Sequence, residues 1–108
     1  MKLNLQQAIH NRVGGKQTLG AVLTDILDAG HGLSDSERIK AVVLAEKIGN
    51  GLDELTNPQA ELLKKCFKAT PSQAWLTAAV VFYLWPDDLE AEDKAVLAQR
   101  FMEPSQVS

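Results

Sequence analysis

Apolar residues recur along this chain with helical period, in blocks separated by short runs rich in Gly, Pro, Ser, Thr, Asn and Asp. The first block reads in two ways. Leu3 and Leu5 alternate as in a short strand, whereas Leu5, Ala8, Ile9 and Val13 share one face of a helix with Asn4 and Gln7 as a capping pair. Gly14-Gly15 ends either version, so residues 1–17 read as a helical or irregular lead-in.

From Thr18 the pattern sharpens. Leu19, Val22, Leu23, Ile26 and Leu27 form one stripe, and Gly30 stands where a left-handed cap closes a helix. Ser34 and Glu37 have the spacing of a capping box, in which each side chain satisfies the other residue's backbone N–H. They open a second helix that is apolar over a broad arc through Ile39, Val42, Val43, Leu44 and Ile48, and Gly49-Asn50-Gly51 stops it. Pro58 suits the first turn of a third helix, where proline loses no useful donor. Leu62, Leu63, Cys66 and Phe67 face inward on that helix, and Lys64, Lys65 and Lys68 face outward.

Thr70-Pro71-Ser72-Gln73 predicts the start of a fourth helix, running to about Trp85, where Pro86 disfavours a helical conformation in the residue before it. A fifth helix is expected from Asp87 or Asp88, with Asp87, Asp88, Glu90, Glu92 and Asp93 at its positive dipole end and Val96, Leu97 and Phe101 on its apolar side. Glu103 to Ser108 reads as a frayed tail. The expectation is an all-α, compact bundle of four to five short helices, forming a single domain over residues 1–108.

Composition narrows the function classes. Of 108 residues, 45% are hydrophobic and 23% charged, which is ordinary for a globular chain. The net charge of -3 lacks the basic footprint of a phosphate-binding surface and disfavours nucleic acid as a partner, although a local basic patch stays open. The start, MKLNLQQAIH, has no apolar core of a secretory leader, and the apolar run near Ala78–Trp85 is too short to span a bilayer. A cytoplasmic, membrane-free protein is expected. Cys66 is the single cysteine, so no internal disulfide is available.

Candidate chemistry fails on inspection. Gly14-Gly15-Lys16-Gln17-Thr18 resembles a phosphate-binding loop, but His10 stands where that motif needs Gly and Gln17 where it needs Ser or Thr. His10 and His31 lack the paired spacing of a helical metal site, and His31 sits in an interhelical turn. Cys66 shares a face with Leu62 and Leu63, which suits a small buried side chain better than a nucleophile. The acids of Asp87–Asp93 lack the alternating spacing and central glycine of a calcium loop. No catalytic, cofactor-binding or metal-binding residue is assigned, and the chain is expected not to be an enzyme.

Two surfaces remain. Leu44-Ala45-Glu46-Lys47-Ile48-Gly49 has the look of half a helix-turn-helix, but Asn57-Pro58 would fall inside the recognition helix. The fourth helix is apolar nearly all round, with Trp75, Ala79, Phe82 and Tyr83 on one side and Ala78, Val81 and Trp85 on another. Such a helix is central in its bundle or covered by something else. Val81, Leu84, Trp85, Trp75 and Tyr83 are therefore the expected partner-binding residues, the partner being another protein or a second copy.

Thr18-Leu19-Gly20 before an apolar helix, then Leu44-Ala45-Glu46-Lys47-Ile48, then Ala60-Glu61-Leu62-Leu63-Lys64-Lys65, resembles small helical proteins of tailed bacteriophages and prophages. The resemblance covers about Thr18 to Leu84; the Trp-rich fourth helix and acidic fifth depart from the pattern. It implies viral origin, a bacterial host cytoplasm and an accessory or assembly role on a partner protein, and it carries over no catalytic residue. The alternatives are a small DNA-binding regulator using Leu44–Lys68 and an acidic inhibitor of a host protein using Asp87–Asp93.

Overall fold

A computed structural model describes residues 1–10 and 16–102, with the side chains of His10, Lys16 and Met102 excepted. Gly14, Gly15, Val13 and the tail 103–108, which carried the loop and frayed-end expectations, lie outside the described residues. The class is all-α. Among the described residues, five helices follow one two-stranded ladder that pairs β1 (Ala8–His10) with β2 (Lys16–Thr18). The helices are α1 (Leu19–Ala29), α2 (Asp35–Gly49), α3 (Asn57–Ala69), α4 (Ala74–Leu84) and α5 (Ala91–Met102). The chain divides into two units, one of Met1–Ala8 with Gln17–Pro71 and one of Ile9–Lys16 with Ser72–Ser108.

In the first unit α1 packs on α2 and α3, and α2 on α3. Thr18 caps α1 by accepting from the Ala21 N–H, and the stripe Leu19, Val22, Leu23, Ile26, Leu27 is buried throughout. Gly30 closes α1 at φ 62°, the left-handed conformation that favours a residue without Cβ. Gly32 is needed for a second reason: a Cβ there would meet Ala69 Cβ at 2.6 Å, so the loop passes too close to the end of α3 for any side chain. Both halves of the Ser34–Glu37 capping box form. A second box, Thr56 with Gln59, opens α3, and Pro58 lies in its first turn as expected. Cys66 is buried, its thiol donating to the Ile26 carbonyl at 3.1 Å.

Where it is described the lead-in is not helical: a bridge at Lys2 and the strand Ala8–His10 are joined through a turn at Leu5-Gln6, in which the Gln7 N–H donates to Asn4 O. The Leu3 N–H donates to Asp53 O at 2.6 Å, Leu55 N–H to Met1 O at 2.7 Å, and Lys2 bridges Glu54 antiparallel. Leu3 and Leu55 are thereby buried. Partners some fifty residues downstream satisfy the backbone groups that a local helix would otherwise have paired.

The second unit contains α4, a 3-10 turn over Pro86–Asp88, and α5. Phe82, Tyr83 and Phe101 form an aromatic cluster with centroids 5.2 to 5.9 Å apart, and the Tyr83 hydroxyl donates to Phe101 O at 3.2 Å. Two expected helix starts are corrected. Thr70 does not cap α4: its hydroxyl donates to Cys66 O at 2.7 Å and its N–H to Phe67 O, so it closes α3, and α4 begins at Ala74 with no side-chain cap. The fifth helix begins at Ala91, not at Asp87 or Asp88. Pro86 starts a 3-10 turn containing both aspartates, and Leu89 is extended (φ -96°, ψ 146°), which interrupts helical geometry.

Candidate protein-docking site

Packing against α1 and α3 decides which face of α2 turns inward, and the helix itself starts at the Ser34–Glu37 capping box. Ala41, Leu44, Ala45 and Ile48 fall at i, i+3, i+4 and i+7, and these four form the buried seam of the helix. Ile39, Val42 and Val43 lie off that seam, with 67%, 51% and 48% of their surface exposed. The broad apolar arc read from the sequence is thus two surfaces, one inside and one outside. The outer surface continues into a groove of about 270 Å³ between α2 and α3. Ile39, Lys40, Val43, Leu44 and Lys47 line it from α2 and Pro58 and Leu62 from α3, with Leu44 buried and Ile39, Val43 and Pro58 exposed.

The surroundings of the groove hold α2 in place. Lys65 Nζ lies 3.0 Å from both Glu37 carboxylate oxygens and ties α3 to the start of α2. The Ser34 N–H, reinforced by this lysine, holds the Glu37 carboxyl down to about 2. Gln59 lines the groove, and its side-chain oxygen accepts from the Thr56 N–H. A second depression, of about 250 Å³, lies near the start of α1 and the end of α2; among its lining residues are Leu5, Gln6, Thr18, Thr24 and Gly49, and none of the described residues lining it is titratable.

The five residues expected to bind a partner fall into one intermediate class. Trp75, Val81, Tyr83, Leu84 and Trp85 are all half-buried, while Ala79 and Val80 alone on α4 are fully buried. Tyr83 belongs to the aromatic cluster, and burial pushes its phenol up. Trp75 donates from its indole N–H to Gln73 Oε1. The remaining candidates are dispersed. His31 and the acids Asp87, Asp88, Glu90, Glu92 and Asp93 are exposed. Burial pushes the Cys66 thiol up, away from the thiolate a nucleophile needs. Among the described residues no three His, Cys, Asp or Glu side chains converge as metal ligands, and no helix is long and apolar enough to cross a membrane.

Sequence reasoning named Ile39, Val42 and Val43 without separating them from the core. The seam through Ala41 has the i, i+3, i+4, i+7 spacing, but so does the row that begins Ile39, Val42, Val43, and only packing against α1 and α3 shows which of the two faces inward. Comparison with protein-family models, with curated proteins and with solved structures finds no match to this chain.

Proposed function

We propose that this chain is a non-enzymatic protein-interaction module whose docking surface is the α2–α3 face. One observation carries the reading: three adjacent β-branched side chains, Ile39, Val42 and Val43, stand in water beside an apolar groove. Scattered apolar residues on a surface need no explanation, but a contiguous set next to a concavity marks a contact site. Burying such a side chain from full exposure is worth about 1.5–3 kcal/mol, and since roughly half of each is still in water, a partner seating on all three gains about half of that at each, together several times the thermal energy. The resemblance of Thr18 to Leu84 to small phage and prophage proteins supports placing the module among their accessory and assembly proteins. In this reading α4 serves chiefly its own unit, because its large side chains are at least half covered.

The test pairs the wild-type chain with an Ile39→Ser/Val43→Ser variant, using sedimentation velocity and capture from a bacterial host lysate. The wild type is expected to self-associate or to retain a specific protein. The variant, with an unchanged circular dichroism spectrum and melting temperature, is expected to do neither. A wild-type chain that sediments as a monomer and retains nothing beyond what the variant retains overturns the reading.

A further inference from the structure

We infer that the α2–α3 groove receives an amphipathic helix of a partner protein that carries acidic residues beside its apolar stripe. This inference rests on the docking reading above and adds the chemistry of the occupant. Among the eight residues lining the groove only Lys40 and Lys47 are charged; the others are Ile39, Val43, Leu44, Pro58, Gln59 and Leu62. None of the described residues lining it is acidic, although the chain as a whole carries -3. The local sign is therefore opposite to the total.

The two lysines are also free to pair. Lys65 is held by Glu37 and Lys2 by Asp53, whereas neither Lys40 nor Lys47 makes an ion pair among the described residues. They stand seven residues apart on α2, a rise of about 10 Å along one edge of the groove. Acidic residues two turns apart on a facing helix have the same spacing, and apolar residues between them lie over Leu44 and Leu62. The volume suits aliphatic anchors, since a cavity of about 150 Å³ already admits a benzene ring.

The form of the occupant follows from the backbone. Both walls are helices, whose main-chain groups pair internally, so an extended peptide finds no open strand edge to join. A helix brings its own hydrogen bonds and needs only side-chain complementarity. Nucleic acid fits less well. Its phosphates would meet two lysines, but among the described lining residues the bases would find no aromatic platform and one uncharged polar side chain, Gln59.

The probes are two labelled helical peptides of about 20 residues, long enough to hold helix in isolation. They share a leucine stripe at i, i+3, i+4 and i+7; one is flanked by Glu and the other by Lys. Fluorescence anisotropy with the full chain is expected to show the Glu peptide binding at least about tenfold more tightly at low salt, with the gap narrowing as salt rises. Lys40→Glu/Lys47→Glu, two exposed changes that leave the buried seam intact, is expected to reverse the order. Ile39→Ser/Val43→Ser is expected to weaken both peptides. Equal binding of the two peptides, or a Glu preference that survives the charge reversal, overturns the inference. So does binding of neither peptide, and sedimentation then separates the two readings. A wild-type oligomer split by Ile39→Ser/Val43→Ser makes a second copy the occupant and leaves the docking reading standing. A monomer with no captured protein removes both.

Discussion

Helices α2 and α4 invert the usual relation between apolar content and apolar exposure. Over Ala74–Leu84, α4 has a single polar residue, Thr77, yet none of its large side chains is exposed. Over Asp35–Gly49, α2 is close to neutral in mean hydropathy, yet it holds three of the four large hydrophobic side chains exposed among the described residues, the fourth being Val96 on α5. What separates them is placement. A helix apolar on every side has no preferred face, and neighbours can cover any part of it. A helix with a complete four-residue seam has no further use for apolar residues outside it. The surplus on α2 is small in amount, but intramolecular packing does not account for it.

The difference between the two faces of α2 is greatest at the buried seam. Ile48→Ala removes a side chain buried in the first unit and is expected to cost about 3 kcal/mol, the transfer loss plus the cavity left behind. Val43→Ala, five residues earlier on the same helix, is expected to change stability by less than about 0.5 kcal/mol. Chemical denaturation of the two variants measures the difference. Equal costs would mean that Val43 is packed and that the outer surface of α2 is not a free face.

On α4 the corresponding change is Val80→Ala, since Val80 and Ala79 are the only fully buried residues of that helix. Two lost methyl groups and a partial cavity should cost about 2 kcal/mol, less than at Ile48 because less volume is removed. Thermal melting followed by near-ultraviolet circular dichroism reports this through the cluster of Phe82, Tyr83 and Phe101. A loss below about 0.5 kcal/mol would show that α4 contributes little to the stability of its own unit, and would return its half-buried aromatic residues to first place as a contact surface.

The same contrast explains which parts of the structure were readable in advance. Features determined by a few consecutive residues were: the Thr18 cap, the Leu19–Leu27 stripe, the left-handed Gly30, the Ser34–Glu37 box and the first-turn Pro58. Features decided by distant or competing partners were not. Thr70 had two helices to serve, and its hydroxyl went back to Cys66. The lead-in found its hydrogen bonds at Asp53 and Leu55, beyond the reach of any local pattern. The candidate site shows the same limit. Its apolar residues on α2 and α3 were all visible, but which of them stay bare depends on how these helices and α1 pack, and hydrophobic period alone does not report that.

The smallest effect expected concerns the ends of the two helices. Helix α2 starts with a charged capping box, and α4 starts at Gln73 without any side-chain cap. Because folding holds the Glu37 carboxyl near 2, below the ordinary 4.5, the folded state binds this proton more weakly than the unfolded chain does. The resulting stabilisation is complete above about 4.5 and disappears as pH falls from there through 2. Acid should therefore loosen the first turn of α2 and its tie to Lys65 over that window, whereas α4 has no capping carboxylate to lose at its start. Carbon-detected NMR titration of Glu37 is expected to give a midpoint near 2, with the Ser34 amide shift following it. Glu37→Gln keeps an acceptor for the Ser34 N–H but removes the charge, and it should flatten the acid dependence of stability. A Glu37 midpoint at the ordinary value would mean that neither the box nor the Lys65 pair persists in solution.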